Sequence, residues 1–246
     1  MNQDRVAREK DFHENRFGSD DSNRQAQLKF YSVTIEARNK YRFLIEEKLS
    51  NSEVLEYGCG EKIEVIEGSF EYKNFVAIDI SEVAVEKCRK KYKGVDKAQF
   101  EVMNAEQLLF QDAKFDLIYG SGIIHHLDID LSMKEISRCL KNGGSAVFFE
   151  PLGHNPFINF YRKLTPKARS QDEHPLLVSD LEKIRTKFKN VEEFYFVLFT
   201  LLLFPLRNLK LFSQIYKFFS KIENTFLNEM PNLKKYCWIV VLKINK

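Results

Sequence analysis

From Val54 onward the chain alternates short apolar runs with stretches whose apolar positions recur every three or four residues. Val54–Tyr57, Phe75–Ile80, Ala98–Val102, Phe115–Tyr119 and Ser145–Glu150 read as strands. Between them, Ile63–Phe70, Glu82–Tyr92 and Leu131–Leu140 carry helical spacing, and a short helical turn follows Asn104. Ser81 is placed to cap the helix after Ile80. Asn142-Gly143-Gly144 is the expected stop after the helix ending near Leu140. This order predicts an α/β fold built on a doubly wound, mostly parallel sheet.

The flanks have a different texture. Within Leu28–Leu49, Phe30, Val33, Ala37, Tyr41, Leu44 and Ile45 recur at helical spacing, so residues 1–50 are expected to form a helical cap or lid on a domain spanning 51–246. Pro151 through Pro175 reads as a loop, and the segment 151–178 is long enough to be functional. A helix near Ser179–Phe188 and a strand near Val191–Phe199 resume the pattern. Leu206–Phe226 reads as helices inserted over 205–230, and Tyr236–Ile244 as a final strand. Phe194–Leu206 is the most apolar stretch. It falls short of the roughly twenty residues a bilayer span needs, and Pro205 and Arg207 interrupt it, so no membrane span is expected. It is read as a buried strand running into an apolar helix. The wider segment 194–219 is expected to bury itself in a homodimer or over the active site.

Composition narrows the classes. The 246 residues suffice for one large domain, and a net charge of +3 offers no phosphate-tracking face. No DNA partner is expected. Cys59, Cys88, Cys139 and Cys237 form no C-x-x-C pair and show no zinc-ligand spacing, which implies a reducing cytoplasm and no metal. The charged N-terminus shows no signal-peptide pattern.

The chemistry concentrates where the first two strands end. Val54-Leu55-Glu56-Tyr57-Gly58-Cys59-Gly60 closes an apolar run with a Gly-x-Gly turn, and Phe75-Val76-Ala77-Ile78-Asp79-Ile80 closes the next with one carboxylate. That pairing holds an adenosine cofactor in open α/β sheets, the acid meeting the ribose hydroxyls. A dinucleotide site would carry a third glycine, and here Glu61-Lys62-Ile63 follows instead. Glu56 would repel a pyrophosphate but suits the amino group or sulfonium of S-adenosylmethionine. Asn104-Ala105-Glu106, after the third strand, is placed to meet the adenine edge.

With these residues the sequence resembles the class I S-adenosylmethionine-dependent methyltransferases, in particular their ubiquinone-biosynthesis-like branch, over roughly residues 50–151. Phe115-Asp116-Leu117-Ile118-Tyr119-Gly120-Ser121-Gly122-Ile123-Ile124-His125-His126-Leu127 resembles the family's fourth strand and following loop. Ile136-Ser137-Arg138-Cys139-Leu140-Lys141-Asn142-Gly143-Gly144 resembles its R-x-L-x-x-G-G turn. The resemblance implies a seven-stranded, Rossmann-like sheet whose last strand, Tyr236–Ile244, is antiparallel. It implies a cofactor site built from Tyr31, Glu56, Gly58, Cys59, Gly60, Asp79, Ile80, Asn104, Ala105, Glu106, Ser121 and His125, with S-adenosylhomocysteine as product. Lys62 stands where a third glycine is common and Asn104 where an aspartate is common.

Acceptor residues should lie beyond the C-terminal strand ends. A hydroxyl acceptor needs a positioned base, and histidine titrates in the right range. His154 just past the fifth strand, His13 from the N-terminal lid and His126 after the fourth strand are the catalytic candidates. Arg16, Glu150, Asn155, Arg162, Lys163, Arg169 and His174 are candidates for holding the acceptor, with Lys167 beside them. The run from Glu150-Pro151-Leu152-Gly153-His154-Asn155-Pro156 to Asp172-Glu173-His174-Pro175 resembles, more loosely, methyltransferases of bacterial glycan precursors and of the O-methyl phosphoramidate group of capsules. The expected partner is a small, phosphate- or nucleotide-linked acceptor. RNA or natural-product methylation, and a non-catalytic subunit that keeps the fold, stand as rival readings.

Overall fold

The computed structural model describes residues 3–18, 29–68, 70–166 and 169–246. One sheet holds seven strands in the order β3-β2-β1-β4-β5-β7-β6. Strands β1 (Glu53–Tyr57), β2 (Asn74–Asp79), β3 (Ala98–Val102), β4 (Phe115–Ser121) and β5 (Leu140–Pro151) run parallel. The final strand, β7 (Ile239–Asn245), inserts antiparallel between β5 and β6 (Asn190–Phe196), as the sequence implied. Because β1 pairs with β2 on one side and with β4 on the other, the strand order reverses at β1. A crevice must open there beyond the carboxyl ends of the strands.

Central strands bury both faces, so their apolar residues divide by parity into two layers. Val54, Phe75, Ala77, Leu117, Tyr119 and Val147 face one layer. It is covered by α2 (Ile35–Leu49), α4 (Glu82–Lys91) and α8 (Phe212–Glu229), through Tyr41, Leu44, Val85, Cys88, Phe212 and Tyr216. Leu55, Val76, Ile78, Ile118, Ala146 and Phe148 face the other layer. That layer is covered by α5 (Ile129–Cys139) and α7 (Val178–Lys187), through Met133, Ile136, Leu181 and Ile184. Each such side chain contributes about 1.5–3 kcal/mol when fully buried. Ser81 caps α4, accepting the Ala84 N–H at 3.2 Å.

Several boundaries differ from expectation, each for a local reason. The expected helix at Ile63–Phe70 contracts to α3 (Glu64–Glu67). Asn142-Gly143-Gly144 is no helix stop: α5 already ends at Cys139, and the β4–β5 register jumps from Phe115↔Leu140 to Leu117↔Ser145, so these residues bulge within β5. The 151–175 loop contains a helix, α6 (Pro156–Leu164), which starts because Asn155 accepts the Ile158 N–H at 3.0 Å and Pro156 stands at its first position. After β6 the chain makes a 3₁₀ helix at Thr200–Leu206 rather than a buried α-helix, and Leu201 and Leu203 are buried while Leu202 stays exposed. The turn is held by Glu223 of α8, whose buried carboxylate accepts the N–H groups of Val197, Leu198, Phe199 and Thr200 at 2.8–3.0 Å. Leu209, Leu211 and Phe218 also remain exposed, and among the described residues none of 194–219 lines the cavities at the sheet's crevice. No described helix is long and apolar enough to cross a membrane.

The candidate methyl-transfer site

The crevice at the strand-order reversal encloses a cavity of about 420 Å³. Its floor is the turn after β1. Gly58 and Cys59 donate their N–H groups to the Ile78 carbonyl at 3.0 and 2.9 Å, which ties the turn to β2. Gly58 has φ +80°, and a Cβ there would stand 2.8 Å from Ile123 Cδ1, so only glycine fits. Asp79, at the end of β2, holds the next residues in place: Oδ2 accepts the Gly60 N–H and Oδ1 the Ser81 N–H, each at 2.9 Å. Burial raises its carboxyl pKa, the Ser81 and Gly60 amides pull it back, and the net direction is up. Glu56 is buried beneath the turn and accepts the Tyr119 hydroxyl at 2.9 Å. Asn104 Oδ1 accepts the Glu106 N–H at 2.9 Å, which shapes the corner after β3. Ile80, Ala105 and Ser121 complete this part of the wall.

The roof is α1 (Gln3–Gly18). Arg5, Glu9, His13 and Phe17 repeat every four residues and share one helical face, and all four line the cavity. The helix is fastened at several points. Arg5 pairs with Glu106 and donates to the His126 carbonyl at 2.7 Å. Arg8 forks onto Asp172 at 2.7 and 2.8 Å. Glu14 accepts the N–H groups of Glu82 and Val83 at 2.8 and 3.2 Å, satisfying the N-terminus of α4 from outside. Lys87 donates to the Phe17 carbonyl.

Beyond the Gly58–Gly60 turn the wall becomes rich in imidazoles and carboxylates. His126 Nδ1 lies 3.1 Å from Glu9 Oε2, and His13 Nε2 lies 3.5 Å from the same oxygen. Burial and the neighbouring His125 push the His126 pKa down to about 4, so its ring is neutral at pH 7. Burial raises the Glu9 pKa, but contacts from His126, His13 and Ser170 outweigh it and hold Glu9 ionised, well below the usual carboxylate range. His125 points the other way, with Nδ1 2.7 Å from Glu150 Oε2. Glu150 is fully buried and fixes the loop after β4 by accepting the Ile123 and Ile124 N–H groups, each at 2.9 Å.

A second cavity of about 290 Å³ opens from here. Arg16, Arg38, Ser121, Gly122, His126 and Phe149 line both. Four guanidinium groups, Arg16, Arg38, Arg162 and Arg169, line it against one carboxylate, Glu173, among the rings of Phe30, Tyr31, Tyr161 and Trp238.

The structure therefore gathers most of the candidate cofactor residues: Glu56, Gly58, Cys59, Gly60, Asp79, Ile80, Asn104, Ala105, Glu106 and Ser121. Tyr31 and His125 belong instead to the second cavity. His13 and His126 meet on the wall of the first cavity, ring centroids 5.1 Å apart, but His154 does not join them. It accepts the Val178 N–H at 3.3 Å and faces a separate depression beside Arg185 and Tyr195, because the chain turns away at Gly153 to start α6. Among the acceptor candidates, Arg16, Arg162 and Arg169 line the second cavity. Glu150 acts beneath the loop, Asn155 is spent on capping α6, and Lys163 and His174 line neither cavity; His174 sits on the exposed side near Asp180. Lys167 lies outside the described residues. Glu9, Arg5 and Arg38 were not singled out from the sequence. The four-residue ladder Arg5, Glu9, His13, Phe17 was the available signal.

Comparison with known proteins agrees with this fold. A family model described as a methyltransferase domain matches residues 55–148. An uncharacterised protein of Methanocaldococcus jannaschii is 28% identical over 178 residues, 63% of this chain and 66% of that protein. Haemonchus contortus phosphoethanolamine N-methyltransferase 2, solved with phosphomonomethylethanolamine and S-adenosylhomocysteine, shares the fold at TM-score 0.59 and 14% identity, over 84% of this chain and 52% of that one. The YcgJ protein of Bacillus subtilis does so at TM-score 0.55 and 16% identity, over 88% and 98%. This chain thus spans about half of the Haemonchus enzyme. Residues 55–148 thus match a methyltransferase-domain model, and the seven-stranded sheet shares the fold of the solved Haemonchus methyltransferase.

Proposed function

We propose that the chain transfers the methyl group of S-adenosylmethionine to a hydroxyl of a small, anionic acceptor, one linked to phosphate or a nucleotide. The observation that carries this reading is the joining of two cavities at His126, Ser121 and Phe149, one suited to the cofactor and one rich in arginine and aromatic rings. The residues of the first fit the cofactor: bare backbone at Gly58 and Gly60, a buried acid at Glu56, and Asp79 on the wall. Asp79 would hold the ribose and Glu56 the cationic methionyl end. When bound, S-adenosylmethionine supplies an electrophilic methyl group.

The protein's own work is alignment, desolvation and proton handling. Helix α1 shuts water out of the cavity. Arg16, Arg38 and Arg162 bring guanidinium groups of the kind phosphate oxygens accept, Arg162 while paired with Glu173 at 2.8 Å, and Arg169 braces the Thr165 carbonyl at 2.8 Å. Phe30, Tyr31, Tyr161 and Trp238 offer faces on which a base or sugar stacks. His13 and His126 stand at the junction, where the acceptor's proton must leave. A nucleotide-linked precursor of a bacterial surface glycan has this chemistry. The Haemonchus structure, whose bound phosphomonomethylethanolamine also carries phosphate, supports the anionic class of acceptor.

Calorimetry with S-adenosylhomocysteine tests the first half, and absence of binding overturns it. Labelled methyl transfer to phosphate- and nucleotide-linked hydroxyl compounds, beside their neutral counterparts, tests the second. Methylation confined to the phosphorylated set, and lost in Arg162→Ala, is expected. Equal turnover of neutral counterparts overturns the anionic acceptor.

A further inference from the structure

The cluster of Glu9, His13 and His126 is more compact than proton handling requires. Its three donor atoms lie within 4.8 Å of one another, and Glu9 Oε2 stands 3.1 and 3.5 Å from the two imidazole nitrogens. Nitrogen and oxygen ligands at about 2.0–2.2 Å from a tetrahedral ion are roughly 3.3–3.6 Å apart. Glu9 and His126 are 5% and 6% exposed, and neither Glu9 Oε2 nor His126 Nδ1 has a hydrogen-bond partner of acceptable geometry. Buried polar atoms left so are rare and mark the place of a water or an ion. One cation between them would satisfy both.

The surroundings complete the case. Glu9 and His13 are one helical turn apart and project from the same face of α1. Ser170 Oγ donates to Glu9 Oε1, which fixes the carboxylate so that Oε2 faces the imidazoles. Glu173 Oε2 lies 4.0 Å from His126 Nε2, the nitrogen that needs an acceptor once Nδ1 is a ligand. The other grouping, His125, His126 and Glu173, is weaker. There His125 Nδ1 is engaged by Glu150 at 2.7 Å and Glu173 by Arg162 at 2.8 Å.

We propose that Glu9, His13 and His126 bind one divalent transition-metal ion, of the Zn²⁺ or Co²⁺ type, at the acceptor end of the cavity. Two imidazoles and a carboxylate suit such ions, and three protein ligands leave a position open. All three side chains line the cavity. The sequence showed no metal-ligand spacing because these ligands come from α1 and from the loop after β4. The inference rests on the reading that the acceptor reaches this junction. It assigns the ion the task of orienting the acceptor oxygen and lowering its pKa, with the histidines holding the ion rather than the proton.

The test uses the full chain without an affinity tag, stripped with chelator and dialysed against Zn²⁺, and separately against Co²⁺. Bound metal is counted by mass spectrometry, and the visible absorption of Co²⁺ reports its coordination. One equivalent per chain is expected, with a tetrahedral Co²⁺ spectrum. Glu9→Gln and His13→Ala should each abolish stoichiometric binding, and Ser170→Ala should weaken it about tenfold or more. Retained binding of S-adenosylhomocysteine by Glu9→Gln shows that the fold survives. No stoichiometric metal in the wild type, or equal metal in wild type and variants, overturns the site. A chain that binds S-adenosylhomocysteine yet takes up no metal refutes the ion alone and leaves methyl transfer standing.

Discussion

Replacing Asp79 with asparagine separates the two tasks its carboxylate performs. In the free protein, Oδ1 and Oδ2 accept the Ser81 and Gly60 N–H groups, each at 2.9 Å. Asparagine keeps one acceptor and turns an NH₂ toward the other amide, so one of these two bonds is lost. A hydrogen bond to a charged group is worth about 1.5–3 kcal/mol. Burial, which raises the Asp79 pKa, makes the ionised form costly and returns part of that loss. A net destabilisation of about 1–2 kcal/mol follows, or roughly 2–8 °C in melting temperature for a chain of this size. The effect on cofactor affinity is larger. The remaining lone pairs face the cavity, where two ribose hydroxyls would donate to them, and asparagine keeps only one such bond, without charge. The loss is about 2–3 kcal/mol, or roughly 30–150-fold in Kd. Calorimetric titration with S-adenosylhomocysteine, beside a thermal melt of the free protein, measures both. Affinity within threefold of wild type would refute the placement of the ribose at Asp79, whatever the melt shows. Asp79→Ala is the poorer test, because it orphans both amides and confounds affinity with folding.

Three further outcomes are expected. Gly58→Ala forces a side chain onto φ +80° and into contact with Ile123 at 2.8 Å. Left-handed backbone alone costs about 1–2 kcal/mol, so S-adenosylhomocysteine affinity should fall more than tenfold, and unchanged affinity would show that the turn does not touch the cofactor. Glu223→Gln removes at least one charged hydrogen bond from the buried turn at Val197–Thr200. A cost of about 1.5–3 kcal/mol predicts a melting temperature lower by roughly 3–12 °C in scanning calorimetry, and a shift under 1 °C contradicts it. Glu14 fastens the roof helix. Burial raises its pKa, but the Glu82 and Val83 amides and the Ser81 hydroxyl outweigh that and leave it lowered. A lowered carboxyl pKa gives stabilisation that is present above the unfolded value and lost as pH falls through the folded one. Hydrogen exchange in α1 should therefore quicken below about pH 4.5 relative to the sheet, and Glu14→Gln should show the quickened exchange already at pH 7.

How far the residue order alone reaches depends on the range of the physics involved. The strands, their alternation with helices, the Ser81 cap and the Gly58–Gly60 turn with Asp79 are set by neighbours a few positions apart. Periodicity and backbone sterics act at that range, so these features were legible. The boundaries that moved did so where one distant group decided: Glu223 holding the 3₁₀ turn at Thr200, or β4 drawing Leu140 into β5 ahead of the Asn142-Gly143-Gly144 bulge. The same holds in the site. Gly58, Gly60 and Asp79 could be paired from spacing, whereas His13, His126 and His154 stood together as catalytic candidates and no spacing distinguished them. Packing α1 across the strand ends brought His13 and His126 onto the buried carboxylate of Glu9 and left His154 facing another side of the molecule. The sequence by itself determined the pairing of the Gly58–Gly60 turn with Asp79, because the consecutive strands β1 and β2 carry them and local geometry fixes both. Only the tertiary structure decided the arginine- and histidine-rich second cavity, because its charged groups come from separate segments whose meeting depends on how helices close over the sheet.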